Sequence, residues 1–255
     1  MLQAFIIVLR EGFESFLIVA IIFAYLRKTQ RGNLIPAVWW GTGISVLTSA
    51  IFGFAMLQGA NQSLWEGITG VVSAALVSWF VIHMWRTAPH LKKDMEHRLY
   101  EKTSHKSLNK AFWGVFFFTL FMITREGMET ALLLIQIHTP QVVTGILLGT
   151  LAAAGMAFLW GRFGHLINLK LFFQVTSIFL LLFVVQILVY SFHEFTEAGI
   201  FPNSEALHIA TEPFSPQGLY GKWLTVLMIG TCAVWLLGAS LFNRLSHRKA
   251  GTKNS

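Results

Sequence analysis

Two short stretches of this chain carry six ionisable side chains at matching spacing: Arg10-Glu11-Gly12-Phe13-Glu14 and, 115 residues later, Arg125-Glu126-Gly127-Met128-Glu129. Each lies near the middle of a long apolar run. On a helix Glu11 and Glu14 stand at i and i+3, and Arg10 and Glu14 at i and i+4. All three therefore share one broad face, as do Arg125, Glu126 and Glu129. At roughly 2.5–3.5 kcal/mol for each such group near the centre of a membrane helix, the six together cost about 15–20 kcal/mol, as much as a whole domain's stability. They must be paired or held in a polar cavity. Crowded carboxylates repel one another and lose hydration, and a multivalent cation relieves both. Hard oxygen ligands suit ferric iron, magnesium, calcium and manganese, while ferrous iron is usually given some nitrogen as well. Four Glu and two Arg leave two formal negative charges, a sum that does not choose an oxidation state. The plainer alternative is a buried clamp in which each Arg pairs with its own i+4 Glu. Such a pair seldom betters an apolar replacement, and it leaves Glu11 and Glu126 without a role in both copies. Gly12 and Gly127 lack side chains, which would let the two motif helices approach closely.

The elements that carry these motifs belong to a membrane. The chain has 255 residues, 55% hydrophobic and 12% charged, whereas a soluble domain carries about a quarter of its residues as charges. That balance excludes a soluble globular protein, a disordered chain and a secreted disulfide scaffold. The lone Cys232 rules out an internal disulfide and a cysteine-based metal cluster. Seven apolar runs of spanning length read at about 3–26, 35–57, 64–85, 112–137, 142–161, 171–192 and 222–242. The net charge of +7 is not a nucleic-acid signature, because the basic residues sit in alternate loops. Arg27, Lys28 and Arg31 follow run one, seven Lys and Arg lie between Arg86 and Lys110, Arg162 and Lys170 follow run five, and Arg244, Arg248, Lys249 and Lys253 fill the tail. The other connections carry only Lys222. The positive-inside rule then predicts the N-terminus outside, the C-terminus cytoplasmic, and contact of the basic loops with membrane lipid. Seven tryptophans fall near predicted ends, as in an interfacial belt. The first run has no basic segment before it and carries charges in its middle, so it reads as a retained helix rather than a signal peptide.

The doubled motif is part of a longer repeat. At an offset of 104, Pro36, Gly41 and Phe54 of run two match Pro140, Gly145 and Phe158 of run five. Three spans separate the copies, so the halves run in opposite directions, an inverted repeat that places a transport site near the midplane. The expectation is an all-α polytopic protein of seven transmembrane helices, an inverted 3+3 repeat plus one. Residues 1–86 form the first repeat, 87–111 a cytoplasmic basic linker, 112–192 the second repeat, 193–221 an extracytoplasmic acidic segment, 222–243 the seventh helix and 244–255 a cytoplasmic tail.

The acidic segment holds His193, Glu194, Glu197, Glu205, His208 and Glu212 and would concentrate cations at an outer mouth. Glu205, His208 and Glu212 read equally well as a solvated loop. Glu66 extends the outer approach path or simply opens helix three as an N-terminal helix charge. His83, in an apolar run, reads as a satisfied buried histidine. The linker from Arg86 to Lys110 mixes in Asp94, Glu96 and Glu101 and reads as a solvated amphipathic stretch.

A doubled Arg-Glu-Gly-x-Glu in helices one and four of a seven-helix chain resembles the oxidase-dependent high-affinity iron permeases, a family comprising the fungal plasma-membrane iron permease and the bacterial Efe-type iron uptake permease. The likeness covers nearly the whole chain. It includes Glu66-Gly67, the stretch from Lys170 to Ser177, and His193-Glu194-Phe195-Thr196-Glu197-Ala198-Gly199. The resemblance implies import of an iron ion, Fe2+ or Fe3+, across the plasma or bacterial inner membrane, with no enzymatic activity and no resident cofactor. It implies Glu11, Glu14, Glu126 and Glu129 as the metal-handling carboxylates, with Arg10 and Arg125 as required companions. Glu66, His193, Glu194 and Glu197 would then line the approach, a separate extracytoplasmic oxidase or iron-delivery protein is expected as partner, and a homo-oligomer fits the same picture. The rival readings are a permease for lead or manganese, an intramembrane enzyme using paired carboxylates as acid and base, and a sensor or structural subunit that binds metal without transporting it.

Overall fold

The computed structural model describes residues 1–58, 63–87, 91–103, 107–137, 140–163, 169–215, 218–231 and 234. Helices α1 (Leu2–Lys28), α2 (Ile35–Gln58), α3 (Ser63–Thr87), α4 (Leu91–Thr103), α5 (Leu108–Ile135), α6 (Val142–Phe163), α7 (Leu169–Glu197) and α8 (Ser204–Thr211) are followed by α9 over residues 219–231. No strand occurs among the described residues. The rest of the expected seventh run, apart from Val234, lies outside them, as does the tail.

Among the described residues four segments are long and apolar enough to cross a membrane: Gly32–Met56, Ser63–Met84, Val142–Trp160 and Leu171–Glu197. Helices α1 and α5 have 27 and 28 residues, about 40 Å of helix at 1.5 Å per residue. Apart from Arg27 and Lys28 at the end of α1 and Lys110 at the start of α5, the charges within them are those of the motifs. The surface fits lipid. On α2 Trp40, Leu47 and Phe54, and on α6 Leu147, Leu151 and Phe158, are 61–70% exposed, an apolar area that water would not tolerate uncovered.

The helices pack in pairs: α1 along α6, α2 along α5, α3 along α7, with α1 also meeting α5. Glycines mark the closest approaches. A Cβ on Gly145 would lie 2.5 Å from Met1 O and 2.8 Å from Ala4 Cβ, and one on Gly149 would lie 2.8 Å from Phe5 O. Contacts therefore advance together along α1 and α6, which run the same way. A Cβ on Gly41 would lie 3.0 Å from both Phe116 O and Thr119 Cβ, and one on Gly53 would lie 3.4 Å from Ala131 Cβ, so α2 and α5 are parallel too. Gly67 faces Phe195 and Gly70 faces Ser191, so α3 and α7 are antiparallel.

The ends of two long helices are fixed by the same device. After α1, Gln30 turns left-handed at φ 56°, Arg31 N donates to Leu26 O at 2.8 Å and Gln30 N to Arg27 O at 3.1 Å. After α7, Gly199 takes φ 74°, Ile200 N donates to Phe195 O at 3.3 Å and Gly199 N to Thr196 O at 3.2 Å. Both are Schellman closures, which satisfy the last carbonyls and turn the chain sharply. The second throws the following segment back over the end of α7.

The linker expected to be solvated is largely a helix. Met95, Leu99 and Thr103 of α4 are 0–1% exposed, packed with Ile22, Leu26, Val115 and Phe116 of α1 and α5. The C-terminal end of α4 is tied down: Tyr25 and Thr103 share a 3.2 Å hydrogen bond, and Arg31 donates to Thr103 O. The opposite face of α4, with Lys93, His97 and Glu101, is exposed.

Candidate metal centre

Because α1 and α5 meet near their middles, the two motifs face each other. Glu11 is 1% exposed, Glu14 6%, and Glu126 and Glu129 5% each. Arg10, 2% exposed, donates from Nη1 to Glu11 Oε1 and pairs through Nη2 with Glu14 Oε1 at 2.9 Å. Arg125 donates from Nε to Glu129 Oε1 at 2.8 Å and lies 4.9 Å over the ring of Phe80. One carboxylate oxygen each from Glu11, Glu126 and Glu129 lies within 4.8 Å of the others. Glu11 Oε2 and Glu126 Oε2 are buried and have no hydrogen-bond partner among the described residues. Buried acceptors are rarely left so, and a cation among the three glutamates would complete them. The centre is therefore a three-carboxylate pocket drawn from both copies, with Glu14 beside it rather than within the group of three.

Gly12 and Gly127 do not do what their position in the motifs suggests. A Cβ on Gly12 would lie 3.1 Å from Ala153 Cβ of α6, and one on Gly127 would collide with Ser49 of α2. The glycines seat each motif helix on its parallel neighbour, and the α1–α5 contact is made by other residues. The reason is geometric: Gly12 and Gly127 point off the side of the helix that carries the charges.

A cavity of about 140 Å³ adjoins the centre, lined by Glu14, Arg125 and Glu126 together with His83, Asp94 and Arg98. Helix α4 forms one wall of it. His83 is exposed rather than buried, contrary to the expectation for an apolar run. The sequence offered no sign that Asp94 and Arg98 would stand near the motifs, since their helix is short and charged and nothing in it announces where it docks.

The expected approach residues gather at one end of the bundle, where α3 begins and α7 ends. Phe195 of α7 packs on Gly67, next to Glu66. Glu194 feels the charges of Glu66 and Glu197. His193 is 4% exposed, and one ligand atom each from His193, Glu197 and His208 lies within 4.8 Å of the others. The His193 and His208 rings stack with centroids 4.7 Å apart. Glu212 Oε2 stands 3.7 Å from His193 Nε2 and 3.6 Å from His208 Nε2. Glu205, by contrast, is exposed on α8 and joins neither group, while Glu194 is half-buried and outside the group of three. His208 and Glu212, which read from the sequence either as part of an acidic mouth or as a solvated loop, are thus brought against His193.

The sequence profile of the iron permease FTR1 family matches residues 1–245. The ferrous iron permease EfeU of Escherichia coli O6:K15:H31 is 30% identical over 93% of this chain and 92% of its own length. The protein of the same name from Shigella sonnei is equally similar, 30% identical over the same shares. That from Yersinia pestis is 29% identical over 88% of this chain and 83% of its own. No solved structure matches the chain.

Proposed function

Because this chain belongs to the iron permease FTR1 family, we propose that Glu11, Glu126 and Glu129 hold iron in transit and that Glu14 passes it to or from the adjoining cavity. The protein is a multi-pass membrane permease for iron and not an enzyme. The observation that carries the site assignment is the convergence of three carboxylates from two helices within 4.8 Å, two of them with a buried oxygen that has no hydrogen-bond partner among the described residues. Arg10 and Arg125 hold these carboxylates in place and limit their repulsion when no ion is present. The iron is ferrous, as in the names of the relatives, and the membrane is the inner membrane of a bacterium.

The architecture we propose is an inverted repeat of α1–α3 and α5–α7 followed by a seventh span beginning in α9, with the N-terminus outside and the C-terminus in the cytoplasm. The packing supports it residue by residue. Gly145 approaches Met1, Ala4 and Phe5, and Gly41 approaches Phe116, Thr119 and Leu120, the same three positions 115 residues on. Gly12 meets Ala153 and Gly127 meets Ser49, partners again related by the two offsets of 115 and 104. Exchanging the halves turns the α1–α6 pair into the α5–α2 pair and maps α3–α7 onto itself, as a two-fold axis in the membrane plane requires. The delivery of iron by a separate extracytoplasmic oxidase or carrier protein, and self-association of the permease, belong to the same reading.

The test is radioactive iron uptake into sealed vesicles containing only this polypeptide, with iron held in each oxidation state. Glu129→Ala and Glu126→Gln are expected to stay in the membrane while uptake falls by about a hundredfold or more, beyond the 10–100-fold cost of losing even an outer-shell partner of a metal ligand. Normal uptake by either variant would overturn the assignment. Uptake that lead or manganese suppresses at concentrations below that of iron would move the substrate to another metal.

A further inference from the structure

The end of α7 and the segment folded back over it carry a second constellation of a different chemical kind. His193 on α7 and His208 on α8 bring two imidazoles together, with Glu197 completing a group whose ligand atoms lie within 4.8 Å of one another. Glu212 Oε2 is set almost equally from the two Nε2 atoms, at 3.7 and 3.6 Å. Those separations are too long for hydrogen bonds. Ligands bound to one ion at about 2.1 Å in a tetrahedral shell stand roughly 3.4 Å apart, so the spacing is close to that of a shared metal.

The tautomer of His193 is prepared for this. Its Nδ1 lies 2.8 Å from Thr211 Oγ1, and that hydroxyl is positioned to give its own proton to Leu207 O at 2.9 Å or His208 O at 3.1 Å. A Thr211 hydroxyl so directed accepts from Nδ1–H, and that tautomer leaves the lone pair on Nε2, the atom that faces Glu212. Fixing one ring nitrogen as a donor so that the other can bind metal is the usual outer-shell arrangement at histidine ligands. The His193 side chain is 6% exposed, so its direction is held by packing as well, and His208 Nδ1 is buried with no hydrogen-bond partner among the described residues.

We propose that His193, His208, Glu197 and Glu212 form a histidine-containing divalent-cation site at the outer mouth, distinct from the carboxylate centre, that admits transition-metal dications and turns away magnesium and calcium. The chemical difference between the two sites is the basis for this selection. Imidazole suits iron, zinc and cobalt, whereas magnesium and calcium take all-oxygen shells. A carboxylate centre alone would discriminate poorly against the hard dications. Placed ahead of it, two imidazoles supply the filter. The proposal rests on the reading of the chain as an importer whose α7 end faces outward.

Cobalt(II) is the probe, because its visible absorption reports nitrogen ligation. The full chain in detergent, carrying Glu11→Gln and Glu126→Gln to silence the inner centre, is expected to bind one Co2+ that a hundredfold excess of Mg2+ or Ca2+ does not displace. Adding His208→Ala or His193→Ala should weaken that binding by about tenfold to a hundredfold or more and abolish the nitrogen-ligand absorption. The same histidine variants with the inner glutamates restored should keep the inner-centre Co2+ binding, which shows that they fold. Unchanged outer binding in His208→Ala, or displacement by Mg2+, overturns the proposal. If instead the doubly substituted glutamate protein binds Co2+ at the histidines yet imports iron normally, the inner-centre assignment fails while this site stands.

Discussion

Arg10 and Arg125 occupy the same place in two copies of one motif, yet their surroundings differ. Arg10 is sealed, 2% exposed, and engages both Glu11 and Glu14. The Arg125 side chain is 36% exposed, pairs among the described residues with Glu129 and rests on Phe80, with the cavity against it. The cause lies outside the motif. The chain between α3 and α5 folds back as α4, an element outside the repeat, so that Asp94 and Arg98 wall a space beside Arg125, whereas the contacts of Gly12 with α6 and of Gly127 with α2 are equivalent in the two halves. A motif duplicated in sequence thus leaves one arginine sealed and the other half-open beside the cavity, while both copies supply carboxylates to the group of three, and the pseudo-symmetry is broken by the α4 helix that packs on one side.

The largest expected effect tests that division directly. Arg10→Leu removes the cation from two buried carboxylates, and breaking a buried pair from one side typically costs about 3–5 kcal/mol. Little folded protein should reach the membrane. Arg125→Leu removes one partner at a half-open position that water can enter, so it should fold with a clearly smaller drop in thermal midpoint in detergent and lose uptake instead. Equal destabilisation by the two substitutions would show that the copies are energetically equivalent and that the asymmetry carries no weight.

A second pair of variants compares the glycines. Gly127→Ala forces a Cβ against the Ser49 side chain, whereas Gly12→Ala meets only Ala153 Cβ at 3.1 Å. Overpacking of this kind costs about 1–3 kcal/mol, and the Gly127 variant should stand at the upper end of that range. Ser49→Gly combined with Gly127→Ala exchanges the small residue across the contact and should recover most of the lost stability. A double variant no more stable than Gly127→Ala alone would mean that the α2–α5 approach is not what the glycine serves.

Much of this was legible beforehand, and the limits have physical causes. Charges inside apolar runs stand out because hydrocarbon penalises them so heavily, so all four glutamates and both arginines could be named from spacing alone. Helix ends were harder to place: α7 continues to Glu197, past the end of its apolar run, because a Schellman closure at Gly199 and not a loss of hydropathy terminates it. Tertiary partners were hidden. Gly12 and Gly127 suggested an α1–α5 contact, but rotation about the helix axis turns them toward α6 and α2, and a linear motif does not report that angle. The docking of α4 depends on Met95, Leu99 and Thr103, three residues in a helix otherwise dominated by charge. His208 and Glu212 sit on a short amphipathic turn whose orientation is set by the chain reversal after α7. Their pairing with His193 is a property of that reversal rather than of any local pattern.

The smallest effect concerns the open side. Besides Glu14 and Glu126, the acidic lining of the cavity is Asp94, carried on the helix that distinguishes the second copy from the first. If a cation leaves the centre through this space, Asp94 lowers the barrier to its departure without contributing to its capture. Asp94→Asn should then reduce the maximal rate of iron uptake about two- to threefold, an increase in barrier of roughly 0.5 kcal/mol, while equilibrium iron binding to the detergent-solubilised protein stays as it was. The separation of rate from affinity is what matters. A loss of affinity would make Asp94 part of the binding centre and enlarge the second copy's share of it, and an unchanged rate would place the route of exit elsewhere, leaving the cavity as a consequence of how α4 packs.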